Sequence, residues 1–265
     1  MTSGTSAGDD AVYRQELTTD RQNLNRRRLS VLYFSIGVLV GMFLLGASVY
    51  ADFESTLFDV SLSADARIRP LQCPVLLAAH ETGEVSLRLR NPGAEPITRR
   101  VNTNISRGHL IMMSQYTDVV TLEPGESRRL SWNITARDAA YGHLIMVKIT
   151  TLVNPRNPLQ RGSCGVLVLN LPGQIRGSYL VGLLLAVALT GTIGGMRGWW
   201  HYGRSYTGWQ LEATRAIMLL GSVVLVGLAM SMVGFWEIAA GAFYIAVLAV
   251  GVIVPHFLIN SRQNW

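Results

Sequence analysis

Four long stretches of this chain carry no Asp, Glu, Lys or Arg. They lie between Arg28 and Asp52, Arg176 and Arg197, Arg215 and Glu237, and Glu237 and Arg262. A helix needs about 20 mostly apolar residues to cross the hydrocarbon core of a bilayer. A charge at the centre of such a helix costs roughly 2.5–3.5 kcal/mol. All four gaps reach or approach that length. A core helix of a soluble protein would keep a polar stripe for water, but residues 181–189 and 239–254 keep none. The chain is therefore expected to cross a membrane four times, at 29–51, 177–196, 216–235 and 238–260. Composition agrees, with 49% hydrophobic and only 15% charged residues, where about a quarter charged is usual for a soluble domain.

The net charge of +6 does not point to nucleic acid, because most of the basic excess sits at the ends of the apolar stretches. Basic residues near membrane helices stay on the cytoplasmic side. Arg26, Arg27 and Arg28 precede the first stretch and Asp52 and Glu54 follow it, which places the N-terminus inside. Residues 52–176 then fall outside. Arg197, Arg204 and Arg215 mark the loop 197–215 as cytoplasmic, Phe235-Trp236-Glu237 forms a short outer turn, and Arg262 ends the chain inside. Tyr50, Tyr179, Trp199, Trp200, Trp209 and Trp236 fall at the expected interfaces, where amphipathic rings prefer to sit. The loop 197–215 is rich in Trp, Tyr and Arg and reads as an interfacial belt, with a contact for a partner or lipid as the alternative. Residues 1–28 are polar and read as a disordered cytoplasmic tail. Val49-Tyr50-Ala51 has the small-residue pattern of a cleavage site. The apolar stretch is long enough to span, so an uncleaved anchor is the expectation.

Residues 52–176 change character. Val85, Leu87 and Leu89 alternate with Ser86, Arg88 and Arg90. Ile97, Val101 and Ile105 face away from Arg100, Asn102 and Asn104. Leu130, Trp132 and Ile134 alternate with Arg129, Ser131 and Asn133. Period two marks half-buried strands. Turn signals separate them at Asn91-Pro92-Gly93, Glu123-Pro124-Gly125-Glu126, Asn154-Pro155 and Asn157-Pro158. About seven strands in this length predict a β-sandwich. The fold class is thus membrane α-helical with an all-β extracytoplasmic domain.

The run LRLRNPGAEPITRRVNTNIS followed by VTLEPGESRRLSWNIT resembles immunoglobulin-like domains of bacterial and archaeal cell surfaces. The resemblance covers roughly residues 85–135. It implies a sandwich fold and no particular activity, since such domains serve adhesion, spacing and assembly alike. In that setting Tyr141-Gly142-His143 is a candidate tyrosine corner.

Cys73 and Cys164 are the two cysteines, both in the β-region. Outside the cytoplasm such a pair reads as a disulfide. Cys164 has no neighbouring base in sequence, which disfavours a catalytic thiol.

A short echo, Gly108-His109-Leu110-Ile111-Met112 and Gly142-His143-Leu144-Ile145-Met146, raises extracytoplasmic copper, which thioether and imidazole suit. On a strand, however, a His and the Met three residues on point to opposite faces. The set His109, Met112, His143 and Met146 therefore needs two strands to converge, and packing strands are the plainer reading. His256, near the inner end of the fourth stretch, reads as an interfacial His without a bis-His haem partner. Glu212 and Glu237 read as solvated.

Gly37-x-x-x-Gly41, Gly227-x-x-x-Ser231 and Ala242-x-x-x-Ala246 are spacings that let membrane helices approach closely. Asn104-Ile105-Ser106 and Asn133-Ile134-Thr135 match glycosylation acceptors.

No residue set supports catalysis, and no cofactor is expected. The expected function is that of an accessory or structural subunit of a membrane complex, or a surface interaction protein. Its partners are the lipid bilayer and other membrane subunits, with Arg88, Arg90 and Arg100 as candidate contacts. A transporter or channel component is the first alternative, although no ionisable group stands at mid-membrane. Metal handling is the second.

Overall fold

The computed structural model describes residues 7–58, 66–67, 71–108, 112–152, 160–202 and 209–262. Among these residues, four helices, α1 (Ala7–Leu57), α2 (Gly177–Tyr202), α3 (Trp209–Met232) and α4 (Trp236–Arg262), accompany nine strands, which lie between α1 and α2 in the chain. The chain divides into two compact units. One comprises Met1–Phe43, Leu185–Val226 and Ala242–Trp265, and the other Leu44–Leu184 and Gly227–Gly241.

In the larger unit, strands β1 (Ala66–Arg67), β3 (Leu76–Ala78), β5 (Ile97–Arg107), β6 (Met112–Leu122), β8 (Leu144–Leu152) and β9 (Gln160–Leu169) form one sheet. Its order is β1-β9-β8-β5-β6, with β3 also beside β9. Strands β2 (Leu71–Gln72), β4 (Thr82–Arg90) and β7 (Ser127–Thr135) form the second sheet, in the order β2-β4-β7. The alternations predict which face is inside. Val85, Leu87, Leu89, Trp132 and Ile134 of the small sheet share one core with Val101, Ile105, Ile145, Val147, Ile149 and Val166 of the large sheet. The two sheets therefore pack face to face. Trp132 closes the core beside β6, donating from its indole nitrogen to Asp118 at 3.2 Å.

The predicted turns knit the far end of the domain. Asn91 is buried. Its side-chain amide donates to the carbonyls of Glu95 (2.8 Å) and Leu122 (3.1 Å), and its side-chain oxygen accepts from Gly93 N–H at 3.0 Å. The Asn91 backbone exchanges hydrogen bonds with Glu126 and Gly125, and Gly125 takes the left-handed conformation that suits glycine (φ 77°).

The large sheet departs from simple alternation. Every residue of β8 from Leu144 to Thr151 is buried. The outer face of this sheet is covered by the end of α1, as Ala51 and Phe58 pack with Ala140, Leu144 and Met146. A strand covered on both faces has no solvent-facing side, and β8 is buried along this length although it includes Lys148, Thr150 and Thr151.

In the smaller unit, glycine spacing sets the α1–α2 approach. A side chain at Gly37 would strike the backbone of Gly191 and Thr192, one at Gly195 would meet Phe34, and one at Gly198 would meet Ser30. Gly37 therefore packs as its spacing predicts. The matching stripe Gly191, Gly195 and Gly198 on α2 was not among the expected motifs.

Among the described residues, three helical segments are long and apolar enough to cross a membrane: Arg28–Leu57, Gly177–His201 and Thr214–Met232. A shorter apolar segment, Trp236–Val252, lies in α4. Several boundaries move from their expected places. Helix α1 begins at Ala7, inside the segment expected to be an unstructured tail, and continues past residue 51 to Leu57. It runs unbroken through the cleavage-like Val49-Tyr50-Ala51, where Val49 and Ala51 are buried. The expected loop 197–215 is partly helical, since α2 reaches Tyr202 and α3 starts at Trp209. The turn between α3 and α4 is short as expected, with Gly234 at φ 83°. The side chains of Trp209, Glu212 and His256, like Asn154-Pro155 and Asn157-Pro158, lie outside the described residues.

Candidate functional site

Two junctions mark where helices enter and leave the sandwich. At the first, α1 lies against β9. Gly165 is the residue that permits this, because a side chain there would collide with the backbone of Ala51. The Gly165 N–H donates to the Asp52 carboxylate at 3.3 Å. One strand over, Lys148 is 1% exposed. Its ammonium donates to the carbonyl of Phe58 at 2.9 Å. A cation that meets a carbonyl at a helix C-terminus satisfies one of the orphan acceptors there and complements the helix dipole. Ser106 supports the same surface, donating to Asp138 O at 2.8 Å and accepting from Met146 N–H at 2.9 Å.

At the second junction, Glu81 is the clamp. One carboxylate oxygen accepts from Gly177 N–H, the first residue of α2, at 2.9 Å, and from Ala78 N–H at 3.4 Å. A carboxylate at a helix N-terminus is favoured by the unpaired N–H groups and the dipole. Gly177 again permits the contact, since a side chain would meet the carbonyl of Leu76. Register puts both junctions at one end of the large sheet, because Gly165 pairs with Met146, and Leu167 with both Leu144 and Leu76. A third contact in this unit joins α1 to α3, where the hydroxyls of Ser48 and Ser231 lie 2.7 Å apart. Ser231 thus serves its predicted packing motif through a hydrogen bond.

The expected disulfide is present. Cys73, just after β2, bonds Cys164 on β9, with a Cα–Cα separation of 6.5 Å. It ties the small sheet to the large one beside Gly165, the residue on which α1 rests.

The remaining sequence candidates do not converge. His109 lies outside the described residues. Met112 is exposed on β6, whereas Met146 is buried under α1. His143 is exposed, with Nδ1 2.8 Å from the Tyr141 carbonyl. Among the described residues no group of three or more His, Cys, Asp or Glu could hold a metal. Tyr141 is 52% exposed, so it is not a tyrosine corner, whose ring packs inward. Arg88 and Arg90 point from the outer face of the small sheet, while Arg100 lies on the outer face of the large one. The three arginines therefore do not share a face. Arg129, paired with Arg88 across the strands, adds to the small-sheet face and bridges Glu84 at 3.5 Å. On β5, burial lowers the guanidinium pKa of Arg99 from its usual value. Of the two acceptor asparagines, Asn104 is buried and Asn133 exposed.

Lys148, Gly165 and Glu81 were not recognised in sequence as site residues. The available signal for Lys148 was a lysine directly after the apolar run Leu144–Val147, in LIMVKITTL.

The chain combines a two-sheet β-domain with apolar helices. No family model matches the chain and no curated protein matches it. Solved structures are similar over part of the chain. The CARDB domain of the PF1109 protein from Pyrococcus furiosus is 17% identical with a TM-score of 0.29, over 38% of this chain and 90% of that one. A β-glucuronidase from Bacteroides uniformis is 15% identical with a TM-score of 0.27, over 36% of this chain and 12% of the enzyme. A β-glucosidase from Listeria innocua is 12% identical with a TM-score of 0.26, over 37% and 15%. These likenesses carry no statement about activity.

Proposed function

We propose that this chain is a multi-pass membrane protein without catalytic activity, an accessory or structural subunit of a membrane complex or a surface interaction protein. It acts through an extracytoplasmic sandwich fixed to its own membrane helices. The observation that carries this reading is the pair of junctions, Lys148 with Phe58 and Glu81 with Gly177. A domain that only needed to be tethered would leave its helix ends in flexible linkers.

Other features support the setting. The segment Arg28–Leu57 has 30 residues, which at 1.5 Å per residue makes roughly 45 Å. That exceeds a hydrocarbon core of roughly 30 Å, and the surplus is the part that docks on the sheet. The disulfide fits an oxidising compartment. Arg26, Arg27 and Arg28 then hold the N-terminus in the cytoplasm, and α2, α3 and α4 complete four crossings. Arg88 and Arg90 on one outer face, and Arg100 on the other, are the proposed contacts for a partner subunit.

The test is mild-detergent extraction from native membranes, with identification of whatever migrates with the chain. Reproducible companions, lost when Arg88 and Arg90 or Arg100 are changed to Glu, support the subunit reading. A chain that runs alone removes it.

A further inference from the structure

The turn Tyr141-Gly142-His143, which opens β8, is tightly closed. The Ala140 carbonyl accepts from His143 N–H (3.3 Å) and Leu144 N–H (3.2 Å), and Ala140 N–H donates to the Leu144 carbonyl at 2.7 Å. Tyr141 is the one non-glycine described residue with positive φ, at 54°, and Gly142 follows at 74°. A left-handed backbone suits glycine and is uncommon for a bulky side chain. The turn nevertheless carries a tyrosine there and exposes about half of it.

Its position explains what the ring can reach. The His143 carbonyl accepts from Val168 N–H at 2.8 Å, and Val168 pairs with Leu77. The adjoining Leu76 carbonyl is the one against Gly177, where α2 starts. The turn therefore hangs from the end of the sheet that gives rise to α2. Leu169 (41% exposed), Ile175 (50%) and Tyr179 (70%) stand exposed around the same start. Leu169 ends β9, Ile175 lies two residues before α2 and Tyr179 is in its first turn, so these exposed residues follow the chain from the sandwich into the helix.

We propose that this rim, Tyr141 with Leu169, Ile175 and Tyr179, beds into the lipid headgroup zone of the leaflet from which α2 emerges. The inference rests on the membrane reading above. Lipid is the occupant because the rim is continuous with a helix apolar enough to span. Tyrosine also suits that zone, with its ring towards acyl chains and its hydroxyl towards water. The rim thus adds a lipid contact to the two helix junctions that hold the domain.

The test uses the full chain in vesicles of phosphatidylcholine with phosphatidylglycerol. Both native cysteines are in the bridge, so Tyr141→Cys offers a single thiol for a polarity-sensitive fluorophore. Leu183→Cys, exposed on α2, and Glu123→Cys, in the turn at the opposite end of the sandwich, are the controls. The label at 141 is expected to be quenched by lipid brominated near the headgroup, and several-fold less by aqueous iodide than the label at 123. The label at 183 is expected to be quenched by brominated lipid alone. If 141 behaves like 123 while 183 stays in lipid, the rim is in water and the proposal falls, with the membrane reading intact. If 141 is shielded from both quenchers, protein covers the rim and the lipid assignment is wrong. If 183 itself is open to iodide, the membrane reading fails and the rim proposal with it.

Discussion

Lys148 Nζ reaches the carbonyl of Phe58 across 90 residues of sequence, at 2.9 Å and out of contact with water. The bond joins a strand of the sandwich to the last residues of an apolar helix. Lys148→Met keeps the volume but leaves that carbonyl unpaired. Thermal or denaturant unfolding in detergent, followed by near-ultraviolet circular dichroism, is expected to show a loss of about 1–3 kcal/mol. Lys148→Ala, which also leaves a void, is expected to lose more. Two variants as stable as the parent would mean that the bond contributes nothing to the junction.

Cys73 and Cys164 close a loop with a sequence separation of 91. Replacing both by alanine is expected to destabilise the sandwich by about 2–5 kcal/mol. The same unfolding measurement checks it, and a non-reducing gel of the parent shows the bridge directly. Unchanged unfolding of the double variant would contradict the account.

Asn91 saturates three hydrogen bonds in a buried position. Asn91→Ala strands two carbonyls and the Gly93 amide, and is expected to cost about 2–3 kcal/mol. Hydrogen exchange should locate the loss at 91–95 and 122–126. An effect spread evenly over the sandwich would argue against the local role.

Tyr141→Gly relieves the positive φ and is expected to raise stability by up to about 1 kcal/mol. A lowered melting temperature would show that the ring contributes to folding and not only to contact.

Glycines on α2 separate packing from composition. Gly191→Leu collides with α1 at Gly37, whereas Gly194 has open space around it. The first change is expected to disrupt the helix pair, and Gly194→Ala to be neutral or mildly stabilising. Expression and monodispersity in detergent distinguish them. Equal behaviour of the two variants would remove the close-packing argument.

Much of the architecture was legible because it rests on periodicity. The alternation at 85–90 and 129–134 placed Leu87 and Trp132 inside and Arg88 and Arg129 outside, and the Pro-Gly turns fell where they were expected. The junctions were not legible. Lys148 is buried because a helix more than eighty residues earlier lies over it, and no local pattern announces that cover. Arg100 and Arg88 both fall on the polar side of their strands, but two-residue alternation fixes a side within one strand and not which sheet that strand joins. Tyr141 resembled a corner residue in sequence, and its positive φ, visible only in the fold, turns the ring outward.

The central claim is that the end of α1 and the sandwich unfold as one body. Hydrogen exchange of amides 51–58 in the full-length protein tests it most directly. The account predicts protection close to that of β8, falling together with β8 in Lys148→Met. Exchange at the rate of a frayed helix end, while β8 stays protected, would show that the sandwich is only tethered and would contradict it.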